Sequence, residues 1–166
     1  TYARDKDAVD ASMTLCEAAA YYKTQGWTLW DAMLDLYERL GYYQDAVSAI
    51  TLAGKEGIEK IGSIMTHLRA NPIKEIGGHK VVKIRDYDKD TITDLATGDV
   101  TPTGLPKSNV LYYELTDDAW ICVRPSGTEP KIKFYYGIKG SGFADADKKS
   151  ATMKKALDDL ADELTK

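Results

Sequence analysis

Trp120-Ile121-Cys122-Val123-Arg124-Pro125-Ser126-Gly127-Thr128-Glu129-Pro130-Lys131-Ile132-Lys133-Phe134-Tyr135-Tyr136 consists of two apolar runs separated by a polar turn bracketed by prolines. Both runs are rich in β-branched and aromatic residues, which favour strands, so the stretch reads as a β-hairpin. Side chains alternate across a strand, which places Ile121 and Val123 on one face of the first run and Ile132 and Phe134 on one face of the second. These are the expected core positions. Arg124, Lys131 and Lys133 then lie on the opposite faces, near the turn, where their charges add to an anion site. The turn has the chemistry of a phosphate clamp. Arg124 offers a planar fork of donors, the Ser126 and Thr128 hydroxyls can turn a hydrogen to an anion, and Gly127 lets successive backbone N–H groups converge. Pro125 and Pro130 stiffen the loop by fixing φ. A plain solvated turn has the same composition, and the residues alone leave both readings open.

The rest of the chain supplies the layers around this hairpin. Val9, Met13, Cys16 and Ala20 recur at helical spacing between Ala8 and Lys23, with Gly26 as a stop. Thr28 followed by Asp31 has the spacing of a capping box for a second helix, with Leu29, Met33, Leu36, Tyr37 and Leu40 as its stripe and Gly41 at its end. Tyr42 to Ala53 reads as a linker passing into a strand, with Ala46, Val47, Ile50 and Leu52 as apolar positions and a domain boundary near Tyr42 to Asp45. Ile58, Ile61, Ile64, Met65 and Leu68 mark a third helix, stopped at Asn71-Pro72 because a residue before proline avoids helical geometry. Val81 to Ile84 and Val110 to Leu115 read as strands, and Asp88 to Ser108 as a turn-rich excursion between them. A last helix spans Asp145 to Leu164, with Met153, Leu157, Leu160, Ala161 and Leu164 inward. After the boundary the order is strand, helix, four strands, helix. The expected fold is α+β, a mostly antiparallel sheet of four to five strands with two helices on one face, preceded by a helical pair.

At 166 residues the chain is one large domain, or one small domain plus a piece of another. Its net charge of −4 gives no basic surface for nucleic acid, so any anion site is local. No apolar run approaches the roughly 20 residues of a membrane span, and the charged first residues lack a signal peptide's apolar core. Cys16 and Cys122 form neither a metal spacing nor a disulfide framework, and a reducing cytoplasm is the simplest home. The start at Thr1 fits an excised fragment as well as a processed terminus.

Four other patterns fail as sites. Asp86-Tyr87-Asp88-Lys89-Asp90 begins like a calcium loop but has Thr91 where glycine is needed and Thr97 where a bidentate glutamate is needed. Gly98 to Ser108 lacks the lysine and helix of a nucleotide loop. His67 and His79 have no partners at metal-ligand spacing. Phe134-Tyr135-Tyr136 reads as aromatic strand packing and does not fit an RNA-recognition signature.

The seven residues Arg124-Pro125-Ser126-Gly127-Thr128-Glu129-Pro130, followed by a strand, resemble the phosphate-binding loop in the last domain of the phosphoglucomutase/phosphomannomutase family, the α-D-phosphohexomutases. Gly77-Gly78-His79-Lys80-Val81, Arg85-Asp86-Tyr87, the strand before the loop and the closing helix fall in the order of that domain, and the chain looks most like the bacterial phosphoglucomutases. The resemblance implies that residues 1–42 are the C-terminal helices of a third, α/β mutase domain. Residues 43–166 would be the fourth, phosphate-binding domain, TATA-binding-protein-like in fold. It implies Arg124 as a bidentate clamp, Ser126 and Thr128 as hydroxyl donors, Gly127 as a backbone donor and Lys133 as a basic strand position. Together they would hold the non-transferring phosphate of the substrate. Glu129 is expected to point away or to pair with Lys131.

Arg4-Asp5-Lys6-Asp7 is similar to a charged stretch of the family that follows the sugar-recognition loop, with Ala8 in place of its glycine. This would put Lys6 in the catalytic cleft, for proton transfer or phosphate contact. A charged helix N-terminus accounts for the same residues. The family interconverts hexose 1-phosphate and 6-phosphate through a phosphoserine and a bisphosphate intermediate, with Mg²⁺ at the phosphoserine. The serine loop, the metal loop and the sugar loop are missing here. The resemblance therefore implies an inactive C-terminal part whose partners are the remaining mutase domains and a phosphosugar: glucose 1-phosphate, glucose 6-phosphate or a mannose phosphate. No metal ligand, nucleic acid or membrane is expected for this part. A non-catalytic module for phosphorylated ligands and an inert helix–sheet domain are the competing readings.

Overall fold

The computed structural model describes residues 6–127 and 129–165. By its internal contacts the chain divides between Gly41 and Tyr42 into two units. The first is the helical pair, α1 (Ala8–Thr24) and α2 (Leu29–Leu40). Asp7 accepts the N–H groups of Val9 and Asp10, each at 3.0 Å, which satisfies orphan donors of the first turn. Thr28 and Asp31 form the capping box: the Asp31 N–H donates to Thr28 Oγ1 at 3.2 Å and the Thr28 N–H to Asp31 Oδ2 at 2.8 Å. The apolar stripes exist but are not covered within this unit. Val9 and Met13 are 71% and 68% exposed, and Ala32 alone is buried among the described residues of the two helices. Two amphipathic helices offer each other too little surface to hide both stripes.

The second unit contains β1 (Tyr42–Thr51), α3 (Gly54–Ala70), β2 (Glu75–Ile76), β3 (His79–Asp86), β4 (Thr91–Asp94), β5 (Val100–Thr101), β6 (Leu111–Leu115), β7 (Trp120–Pro125), β8 (Lys131–Gly140) and α4 (Phe143–Thr165). The sheet order is β1-β8-β7-β6-β3-β4-β5, with β2 on β3 off this path. Every pairing is antiparallel. The long strands β1, β8, β7, β6 and β3 lie side by side and make the α+β sheet that the pattern implies. The excursion over residues 88–108 departs from a plain turn, because it supplies β4 and β5. Its strand segments are β-branched but only four and two residues long, too short for alternation to mark them. Their backbone groups pair with β3 and with each other because an edge strand leaves ladder groups to be satisfied.

Ile121, Val123, Ile132 and Phe134 are all 0% exposed, which places the hairpin's alternation as read. They pack beneath Ile61, Ile64, Met65 and Leu68 of α3 and Met153, Leu157 and Ala161 of α4 in one core. Three details differ from the sequence reading. No linker spans Tyr42 to Asp45: β1 begins at Tyr42 and pairs with β8 along its whole length. Val47 points away from the core at 51% exposure, because the alternation of β1 turns Ala46, Ser48 and Ile50 inward. Ser48 there donates to Asp158 Oδ1 of α4 at 2.6 Å. Ile58 is 61% exposed. Its neighbour Gly57 takes the buried place in α3, so close to β1's end that a Cβ would lie 2.0 Å from the Leu52 carbonyl oxygen.

Candidate functional site

The β7–β8 hairpin carries the loop of residues 126–130 at its tip, with Arg124 opposite Lys133 and Pro125 opposite Ile132. The turn is closed by hydrogen bonds among its own residues. The Ser126 N–H donates to the Lys131 carbonyl at 2.7 Å, the Lys131 N–H to the Glu129 carbonyl at 2.7 Å, and the Glu129 N–H to Ser126 Oγ at 3.3 Å. A third strand braces it, since the Leu52 N–H just past β1 donates to the Pro130 carbonyl at 2.9 Å. The loop is thereby fastened to the sheet on both sides, which suits a site that must hold donors in place.

Arg124, Pro125, Ser126, Gly127, Lys133 and Tyr135 line an open hollow of about 350 Å³ beside this turn. Two of these side chains are cationic, and no carboxylate lines the hollow among the described residues. Glu129 lies instead against Lys131, 3.6 Å from its Nζ. The space next to Gly127 is open, and a Cβ built there meets nothing within 4 Å. The Lys133 Nζ sits 5.9 Å from the centre of the Tyr135 ring, within cation–π reach. Cys122 stands opposite Tyr135. Burial pushes its thiol up and the charge of Arg124 acts the other way, so Cys122 stays neutral near pH 7 and leaves the positive charge of the hollow uncancelled.

The structure thus brings together Arg124, Ser126, Gly127 and Lys133. Thr128 lies outside the described residues, as do Arg4 and Asp5 of the charged stretch. Lys6 belongs to the first unit, exposed and one residue ahead of the N-cap Asp7. Pro125 and Tyr135 line the hollow without having been singled out for it. For Tyr135 the signal was available, because strand alternation puts it on the same face as Lys133. His79 is 7% exposed and packs its Nδ1 3.1 Å from the Thr116 carbonyl, a structural placement. Among the described residues no group of three or more His, Cys, Asp or Glu side chains is placed to hold a metal ion. No helix among the described residues is long and apolar enough to cross a membrane.

Residues 73–154, which include β3 to β8 and the hollow, match the family described as phosphoglucomutase/phosphomannomutase, C-terminal domain. Phosphoglucomutases of Staphylococcus aureus strains MSSA476 and N315 are 41% identical over 152 residues. That of strain USA300 is 40% identical over the same length. Each match covers 92% of this chain but 27% of the relative, so the chain spans about a quarter of the length of the curated relatives it matches. The crystal structure of the open form of pp63/parafusin, an exocytosis-sensitive phosphoprotein and phosphoglucomutase from Paramecium, superposes over 99% of this chain and 28% of its own, with a TM-score of 0.55. At 16% identity that likeness concerns the fold alone. With β2 to β8 and the hairpin inside the match to the family's C-terminal domain and with relatives alike over 92% of the chain, the chain belongs to the phosphoglucomutase/phosphomannomutase family and carries its C-terminal domain.

Proposed function

We propose that this chain is the substrate-phosphate-binding part of a cytoplasmic phosphoglucomutase, holding the phosphate of a hexose phosphate that does not react in a given step. The observation that carries the proposal is the hollow at the hairpin tip, where Arg124 and Lys133 face each other across β7 and β8 beside Ser126 and Gly127. Arg124 supplies a bidentate fork to two phosphate oxygens and Lys133 a compact second charge. Ser126 and Thr128 offer hydroxyl hydrogens, and Gly127 a backbone N–H with open approach. Glucose 1-phosphate and glucose 6-phosphate are the proposed ligands, with mannose phosphates as the nearest alternatives.

Phosphoryl transfer, through a phosphoserine and a bisphosphorylated sugar, is assigned to the remaining mutase domains, together with the Mg²⁺ that would neutralise charge at the phosphoserine. The chain alone is accordingly proposed to bind and not to turn over. Lys6 is proposed to reach the assembled cleft for proton transfer or phosphate contact. A weak clamp fits this division of labour. Three or four charge-assisted hydrogen bonds give about 6–9 kcal/mol gross, against an association cost of at least about 4 kcal/mol. The remainder corresponds to a Kd near millimolar. Such a grip orients the substrate, yet lets go when the bisphosphate must turn round to present its other phosphate.

NMR titration of the chain with glucose 6-phosphate tests the reading. Amide shifts should concentrate at residues 124–133 and saturate in the millimolar range, and Arg124→Ala should weaken binding at least tenfold, the loss of one to two charge-assisted bonds. Absence of local shifts at tens of millimolar would sink the proposal.

A further inference from the structure

We infer that Tyr135 is the sugar-facing wall of the clamp, so that the hollow takes a hexose phosphate in preference to inorganic phosphate. The inference rests on the phosphate reading above and deepens it. Residues two apart on a strand share a face, so Tyr135 continues the line begun by Lys133. Across β7 their partners are Arg124, opposite Lys133, and Cys122, opposite Tyr135. Across β1 Tyr135 faces Val47, which is 51% exposed. The outer face therefore changes character within two residues, from paired cations at the hairpin tip to an aromatic ring flanked by a neutral thiol and an aliphatic side chain.

A phosphosugar has the same polarity along its length. Its phosphate is a multiply charged acceptor, and its pyranose ring presents C–H groups on its faces and hydroxyls at its edges. With the phosphate on Arg124 and Lys133, Tyr135 is the lining residue placed beyond the charged pair to meet the ring. A phenol suits it, because the ring face packs against C–H groups while the O–H donates to or accepts from a sugar hydroxyl. Tyr112, on the same outer face, stacks on Trp120 with ring centres 5.6 Å apart and planes 12° from parallel. Tyr135 stacks on no other ring among the described residues, and its ring contact is with the Lys133 ammonium at 5.9 Å. Its face is thus engaged by the cation that the phosphate would draw toward itself.

Binding of inorganic phosphate and of glucose 6-phosphate is to be measured side by side on the chain, on Tyr135→Ala and on Tyr135→Phe, by the amide shifts of residues 124–133. The parent should prefer glucose 6-phosphate by about three- to tenfold, the scale of one aromatic contact. Tyr135→Ala should erase that preference by weakening glucose 6-phosphate about three- to tenfold more than it weakens inorganic phosphate, and Tyr135→Phe should keep most of it. A parent without preference overturns the inference while leaving the phosphate clamp standing. So does a Tyr135→Ala variant that weakens both ligands equally, since Tyr135 would then only place Lys133. If neither ligand shifts these amides, the phosphate reading itself has failed and the inference falls with it.

Discussion

Replacing Gly57 and Gly62 by alanine, one at a time, should change the stability of α3 in opposite directions. Both glycines lie within the same helix, Gly54–Ala70, and helix propensity alone assigns each substitution a gain of about 1 kcal/mol. At Gly62 nothing lies within 4 Å of the added Cβ, so the full gain should appear. Gly57 differs, because its Cβ would lie 2.0 Å from the Leu52 carbonyl oxygen, 2.5 Å from the carbonyl carbon and 2.9 Å from the Leu52 Cβ. Two of those atoms are backbone and have no rotamer to change, so the helix or the end of β1 must shift. Overpacking of this kind costs about 1–3 kcal/mol. With a backbone obstacle the upper value applies, and after the propensity gain about 2 kcal/mol of destabilisation remains.

At roughly 2–4 °C per kcal/mol for a chain of this size, Gly62→Ala should raise the melting temperature by about 3 °C and Gly57→Ala lower it by about 6 °C. Urea unfolding followed by circular dichroism gives the free energies directly. A second signature goes with the first: Leu52 also donates to the Pro130 carbonyl at 2.9 Å, so Gly57→Ala should move the amide resonances of the 126–131 turn. Gly57→Ala matching or exceeding Gly62→Ala in stability would refute the packing argument.

Two further outcomes follow from the ion pairs. Arg69 donates to both carboxylate oxygens of Asp86, at 3.0 and 3.2 Å, with side chains only 14% and 9% exposed. Asp86→Ala strands that guanidinium with Asn109 as its remaining acceptor among the described residues, so urea unfolding should show a loss of about 3–5 kcal/mol, and a loss below about 1 kcal/mol would contradict the pair's burial. At the start of α4 the Ser141 N–H and then the Lys149 ammonium hold the Asp145 carboxyl below its usual 3.8. A depressed folded-state value contributes stability above about pH 4 that disappears as pH falls through it. Asp145→Asn should therefore lose less stability than the parent between pH 6 and about pH 2.5, and equal losses would remove Asp145 from the acid response.

The hairpin was the most legible part of the chain because its determinants are local. The period-two alternation of Ile121, Val123, Ile132 and Phe134 and the short turn between the runs set faces and register together. The capping box of Thr28 and Asp31 was legible for the same reason, since both partners lie within one helical turn. Tyr135 was readable in direction but not in role: the alternation turns it outward, while its place in the hollow depends on the depth left between Pro125, Lys133 and the loop. The strands within residues 88–108 were not legible, because Thr91–Asp94 is four residues long and Val100–Thr101 two, too short for an alternation to stand out from the surrounding turns, and they pair where β3 offers an edge.

By itself, the sequence determined the faces of the two hairpin strands and of the last helix, the α+β class, and the cluster of Arg124, Ser126 and Lys133 near one turn. All of these follow from short-range periodicity and turn chemistry. Only the tertiary structure decided that β1 lies beside β8, that Leu52 braces Pro130, and that Gly57 and not Ile58 faces inward. Those outcomes depend on which distant backbone groups meet and how closely they approach, and a residue pattern carries hydrophobic period but no record of the partner that will satisfy a given N–H or fill a given gap.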